Sequence, residues 1–238
     1  MKETSKVVVF DLEETLGHFR ELTWFITDKP ISIFLRPELE KGLSLLSDYE
    51  LVVATTNVSS YADIALRSAG VRNHFAEIYD VFDFKTEDKL QKSFKPIARD
   101  FEISEVSQNI LFVGNNYRTD HPEDGSNIVF IKVDEIIRSF GGPRTNMPSL
   151  AKLIKDLDVK GGFNSGFHSF KTKNMHPDYI FYENGRSFRE GEERVETKTV
   201  YTPQIWTSMG DSPIEKISYT MTIEEVKTIK EELAKARR

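Results

Sequence analysis

Val7–Leu16 reads VVVFDLEETL: four apolar residues, three of them valine, and then the acids Asp11, Glu13 and Glu14. A short, continuous apolar run is the pattern of a strand buried on both faces, as in a parallel sheet covered by helices. The acids then fall at its carboxyl end. Working outward, LVVATT (51–56), EIYDVFDF (77–84), NILFVG (109–114) and NIVFIKV (127–133) read as further strands. Arg36-Pro37 opens PELEKGLSLLSD, where proline suits a first helical turn and Leu39, Leu43 and Leu46 recur at helical spacing. SSYADIALRSAG (59–70) offers serines as caps and Gly70 as a stop. Pro96 starts another helix, and Ser149–Leu157 reads as a closing one. Strands alternating with helices, joined by right-handed crossovers, predict an α/β fold: a doubly wound, parallel, Rossmann-like sheet.

The pattern changes near Val159. GGFNSGF (161–167) reads as a glycine-rich joint. Beyond it, Asn184-Gly185 sits between flanks that suggest a hairpin, and VETKTVYT (195–202) and KISYTMT (216–222) alternate like strands. Thr222 and Glu225 form a capping-box pattern, and Ile223, Val226, Ile229 and Leu233 give the last helix one apolar face. The expected organisation is a core over residues 1–158 and, over 159–238, a small β-rich appendage ending in a helix.

With 39% hydrophobic and 11% aromatic residues among 238, the chain can bury a sizeable core. A net charge of -6 argues against a dedicated nucleic-acid binder, which would carry a basic surface. No cysteine is present, which excludes disulfides, thiolate nucleophiles and cysteine-based zinc sites. The apolar run after MKETSK is too short for a secretory signal, and no stretch approaches a membrane span. The expectation is a soluble, intracellular, cytoplasmic protein, with a nuclear location also open. The five histidines show no metal-ligand spacing and read as structural or surface residues. Trp24, with Phe19 and Phe25, reads as a packed flap.

In an open α/β sheet, ligands bind outside the carboxyl ends of the strands. Asp11 and Glu13 close the first strand, Thr55, Thr56 and Asn57 the second, and Asn115 and Asn116 the fourth, with Asp120 shortly after. Lys95 stands just ahead of a proline-started helix, with Lys85, Lys89 and Lys92 as rivals. A carboxylate nucleophile, a second acid, a hydroxyl, a cation and oxygen ligands can therefore meet at one edge.

This arrangement resembles the haloacid dehalogenase-like phosphatase superfamily. Its motifs are matched in order by Asp11-Leu12-Glu13-Glu14-Thr15, by Thr55, by Lys95-Pro96, and by Gly114-Asn115 with Asp120. The DLEETL wording, Arg36-Pro37 and TTNVSSYAD are similar to the near-capless branch of the RNA polymerase C-terminal-domain phosphatases, and the magnesium-dependent phosphatases are comparably similar. The resemblance covers about residues 6–158. It implies Asp11 as a nucleophile forming an aspartyl-phosphate, and Glu13 as general acid and base. It also implies phosphoryl binding by Thr55, Thr56, Asn57 and Lys95, and Mg²⁺ held by Asp11, the Glu13 carbonyl, Asn115 and Asp120. A near-capless site implies bulky substrates such as a phosphoprotein segment, with small phosphorylated metabolites and nucleic-acid ends as alternatives. Two positions depart from the pattern. Glu13 stands where the family has the shorter Asp, and is longer by about 1.5 Å. Asn115 stands where the family has a charged Asp. The competing reading is a binding module that keeps the fold without turnover.

Overall fold

The first strand, β1 (Val7–Phe10), is buried along its whole length and lies in the interior of the sheet. In this computed structural model, residues 6–84, 92–103, 109–116, 129–133, 135–136, 145–159, 179–183, 186–188, 199–203 and 214–237 are described. Beside β1 run β4 (Glu50–Ala54) and β6 (Ile110–Gly114), both parallel to it. Outside them lie β5 (Glu77–Tyr79) and β7 (Val129–Lys132), also parallel, so the order is β5-β4-β1-β6-β7. Alternation along β1 sorts its side chains between two cores. Val8 and Phe10 pack with residues of three helices, α1 (Leu39–Ser44), α2 (Ser59–Ser68) and α5 (Met147–Val159). Val7 and Val9 pack on the opposite side with Phe84 of α3 (Val81–Phe84) and Ile97 of α4 (Lys95–Asp100). Here Phe112 stacks on Phe130 at 5.4 Å between ring centres and meets Phe94 edge-on at 5.6 Å. The doubly wound parallel α/β sheet expected from the sequence is therefore present.

Several local features follow from single residues. Gly42 lets α1 approach α5 closely, because a β-carbon there would sit 2.3 Å from the Met147 side chain. Gly70, at φ +71°, ends α2 in the left-handed conformation. The N–H of Val71 then reaches the Leu66 carbonyl at 3.0 Å, as a Schellman ending requires. The serines expected to cap α2 do not do so. Val58 holds the cap position, and the acceptors come from elsewhere: Asp80 takes the Ser59 N–H at 2.8 Å and Glu232 takes the Ser60 N–H at 3.1 Å.

EIYDVFDF was expected to be one strand and is not. Asp80 ends it by accepting the Phe82 N–H at 2.8 Å, while Asp83 accepts the Asp80 N–H at 2.8 Å. These reciprocal caps start α3 where the apolar pattern alone would continue the strand.

The elements after Val159 share both sheets with those before it. β10 (Thr199–Pro203) runs parallel to β7, and β8 (Tyr179–Glu183) and β9 (Arg186–Phe188) continue the sheet antiparallel beyond it. The strands flanking Asn184-Gly185 thus pair as expected of a hairpin. A second, antiparallel sheet has the order β11-β3-β2, from β11 (Glu215–Tyr219), β3 (Ile31–Leu35) and β2 (Gly17–His18). The last helix, α6 (Ile223–Ala236), carries the full capping box of Thr222 and Glu225. Val226 and Ile229 are buried against the main core with Leu233 beside them, whereas Ile223 is exposed. Arg67 of α2 pairs with Glu225 at 3.3 Å. No helix among the described residues is long and apolar enough to cross a membrane.

Candidate active site

Asp11 follows β1, and its N–H donates to the Val113 carbonyl at 2.8 Å. In the parallel registers, Phe10 stands opposite Val53 of β4 and Val113 of β6. Residues just past those partners, Thr55 and Asn115, therefore gather at the same edge as Asp11. Asp11 is largely buried, and its Oδ1 receives Lys92 Nζ at 2.5 Å. Lys92 is itself buried at 2% exposure, its ammonium 5.2 Å from the centre of the Phe112 ring.

Lys92, rather than Lys95, is the lysine at Asp11. Lys95 opens α4 with its side chain in solvent. The reason is a contact with β6: Phe94 is buried against Phe112, which anchors the segment before α4 and takes Lys92 inward, while the helix start turns Lys95 out. The sequence favoured Lys95 for its place before Pro96 and held nothing that singled out Lys92.

Thr55 is buried, its N–H on the Tyr79 carbonyl at 2.9 Å, and its hydroxyl oxygen accepts the Asn57 N–H at 3.2 Å. Thr56 is exposed. Asn57, Asn115 and Asn116 line an open cleft of about 480 Å³ together with Glu13, Glu14 and Tyr61. Asp120 lies outside the described residues.

Glu13 is held at both carboxyl oxygens. The Tyr61 hydroxyl donates to Oε1, and the Phe19 N–H donates to Oε2 at 3.2 Å. Burial raises its pKa above 4.5, with the two hydrogen bonds opposing that rise. Burial and the adjoining carboxylate push the Tyr61 phenol well above its ordinary value, so it remains a donor. The sequence reading gave Tyr61 no role at the site and missed this contact.

The loop after β1 is tightly built. Glu14 has φ 59°, and its N–H bonds the Gly17 carbonyl at 2.8 Å. Its carboxylate meets His18 Nδ1 at 2.5 Å and the Ile136 N–H at 2.6 Å. Gly17 accommodates the buried Phe19 ring, which a β-carbon would meet at 2.4 Å. Arg36, fully buried, donates to the carbonyls of Thr15 (2.5 Å), Thr145 (2.8 Å) and Glu14 (3.0 Å). It fixes the loop that carries the acids, a role its motif did not disclose. His18, read as structural, lies between Glu14 and Glu21 on the cleft wall. Phe19 is packed as expected of a flap residue, whereas Trp24, on the 3-10 helix Arg20–Trp24, is 60% exposed.

Comparison with known proteins gives one family match: residues 6–132 fit the family described as NLI interacting factor-like phosphatase. A predicted phosphoglycolate phosphatase from Haemophilus somnus 129PT is similar in structure, at 14% identity and a TM-score of 0.49 over 64% of this chain and 99% of that one. A haloacid dehalogenase-like family hydrolase from Xanthomonas campestris gives 11% identity and 0.47 over 67% and 98%. A HAD-superfamily hydrolase from Ehrlichia chaffeensis gives 15% and 0.46 over 65% and 99%. Comparison with curated protein sequences gave no match.

Proposed function

The chain belongs to the NLI interacting factor-like phosphatase family, and on that premise we propose that this phosphatase hydrolyses phosphomonoesters through an aspartyl-phosphate, with Mg²⁺ as cofactor. The observation that carries the reading is the buried pair of Asp11 and Lys92 at the carboxyl end of the central strand. A carboxylate attacking a dianionic phosphoryl group needs a nearby cation, and a buried ammonium meets that need with little reorganisation.

The steps follow from the residues present. An Asp11 carboxylate oxygen bonds to phosphorus as the bond to the leaving oxygen breaks. The Glu13 carboxyl gives its proton to that oxygen. Its burial favours the protonated form this step requires. The Glu13 carboxylate then takes a proton from water as the water oxygen attacks phosphorus. The aspartyl bond breaks, which releases inorganic phosphate and restores Asp11. Lys92 balances charge throughout, in the part the sequence assigned to Lys95. The Thr55 hydroxyl oxygen accepts the Asn57 N–H, so its own O–H is left to donate to a phosphoryl oxygen.

The donor set suits Mg²⁺, which takes hard oxygen ligands and retains water. The Asp11 carboxylate, the Glu13 carbonyl and the Asn115 amide oxygen belong to loops leaving the adjacent strands β1 and β6. Among the described residues no group of three acids or histidines is arranged to hold a metal ion, so neutral oxygens and water would complete the coordination. When bound, the ion would offset negative charge on the phosphoryl oxygens.

Among the described residues the cleft is open, which suits a phosphorylated residue on a protein segment. Its wall carries Glu13, Glu14 and Glu135, which disfavours a nucleic-acid backbone. The test is hydrolysis of an aryl phosphate and of phosphopeptides with Mg²⁺, with EDTA, and by Asp11→Asn. Turnover should require both the metal and Asp11. An Asp11→Asn rate equal to that of the parent protein would remove the proposed chemistry.

A further inference from the structure

We propose that Tyr61 is a positioning residue that adapts this site to its longer acid, Glu13; the inference rests on the hydrolase reading above. The family pattern calls for aspartate at position 13, and glutamate carries its carboxyl about 1.5 Å further from the backbone. The backbone does not absorb the difference by loosening, because the following loop is fixed by the Glu14–Gly17 bond and by Arg36 on the carbonyls of Glu14 and Thr15. The side chain absorbs it instead. Its two oxygens are secured by donors from different elements, the Tyr61 hydroxyl on α2 and the Phe19 N–H in the loop before β3. Two anchors in different directions hold the carboxyl in one place. Each carboxylate oxygen accepts one described bond and retains a second lone pair, so a proton can still be carried.

A purely structural role for Tyr61 would be to tie α2 to the loop. The two roles differ in their dependence on residue 13. An aspartate at this position is too short to reach the hydroxyl, so removing that hydroxyl affects catalysis only when glutamate is present. The experiment compares kcat and KM for an aryl phosphate with Mg²⁺ in the parent protein, Asp11→Asn, Tyr61→Phe, Glu13→Asp and the double variant Tyr61→Phe/Glu13→Asp. Phenylalanine fills the same buried ring site, so the fold is retained, as a thermal melt verifies. A misplacement on the order of 1 Å is worth up to roughly 10²-fold in rate. Tyr61→Phe is therefore expected to lower kcat at least tenfold with Glu13 present, with KM within about twofold, and to change kcat less than about twofold in the Glu13→Asp background. An equal loss in both backgrounds overturns the positioning role while leaving the hydrolase reading intact. Full activity of Tyr61→Phe overturns it in the same way. Undiminished turnover in Asp11→Asn overturns the hydrolase reading and this inference with it.

Discussion

Replacing Lys92 with methionine tests the centre of the site. Methionine keeps much of the lysine's length and removes its charge. In the folded protein the Lys92 side chain is 1% exposed and that of Asp11 11%, and they meet at 2.5 Å. Removing one member of such a pair leaves the other carboxylate desolvated, at a cost of about 3–5 kcal/mol. Loss of a preorganised charge-stabilising group also costs about 10²–10³-fold in kcat. Lys92→Met should therefore lower both the free energy of unfolding and turnover by those amounts. Asp11→Asn combined with Lys92→Met should recover most of the stability, because no buried charge is then left alone. Lys95→Ala, at an exposed position, should change stability by no more than about 0.5 kcal/mol and leave kcat/KM within about twofold. Urea denaturation and steady-state hydrolysis of an aryl phosphate measure both quantities. If Lys95→Ala loses turnover as Lys92→Met should, or if Lys92→Met keeps more than about a third of parental activity, the charge argument is wrong.

Three further outcomes follow from described contacts. Glu13→Asp should keep turnover within about tenfold or raise it. It should also lower unfolding stability by about 1–3 kcal/mol in urea titrations, because the buried Tyr61 hydroxyl loses its acceptor. The raised pKa of Glu13 sets a pH dependence: the folded state holds this proton more tightly than the unfolded chain does. Its stabilising share is complete below 4.5 and is lost as pH rises through the folded value. Urea midpoints of the parent and of Glu13→Gln should differ most in the parent's favour at the low end of that range, and the parent's advantage should shrink as pH increases. Asp80→Ala removes acceptors for the Ser59 and Phe82 N–H groups. At about 1 kcal/mol per cap it should destabilise by about 2 kcal/mol, read as a lower melting temperature.

The parallel sheet was legible because β1, β4 and β6 are continuous apolar runs, and such runs place whatever follows them at one edge. Asp11, Thr55 and Asn115 could be located by that rule alone. The final capping box was legible for a similar reason, since all its contacts lie within four residues. Lys92 was not, because the choice among four lysines depends on how Phe94 packs on Phe112, a contact between distant segments. Asp80 looked like one acid within a strand pattern, and its bond to the Ser59 N–H at the start of α2 spans 21 residues. The Tyr61–Glu13 bond spans 48 residues and leaves no periodic trace. β11 had a readable strand pattern, but its partner did not show. Ile31, Ile33 and Leu35 alternate inward on β3 without naming which strand will lie beside them.

The Glu232–Ser60 bond joins residues 172 positions apart, and β11 completes its sheet on a strand laid down near the beginning of the chain. During vectorial synthesis at roughly 5–20 residues per second, the strand edge that carries Asp11 and Thr55 would emerge early but remain unbraced until residues 215–236 leave the ribosome. A nascent chain halted before that point would expose one flank of β3 and the amino end of α2, so interrupted translation would yield fragments bound for quality control rather than partly working catalysts.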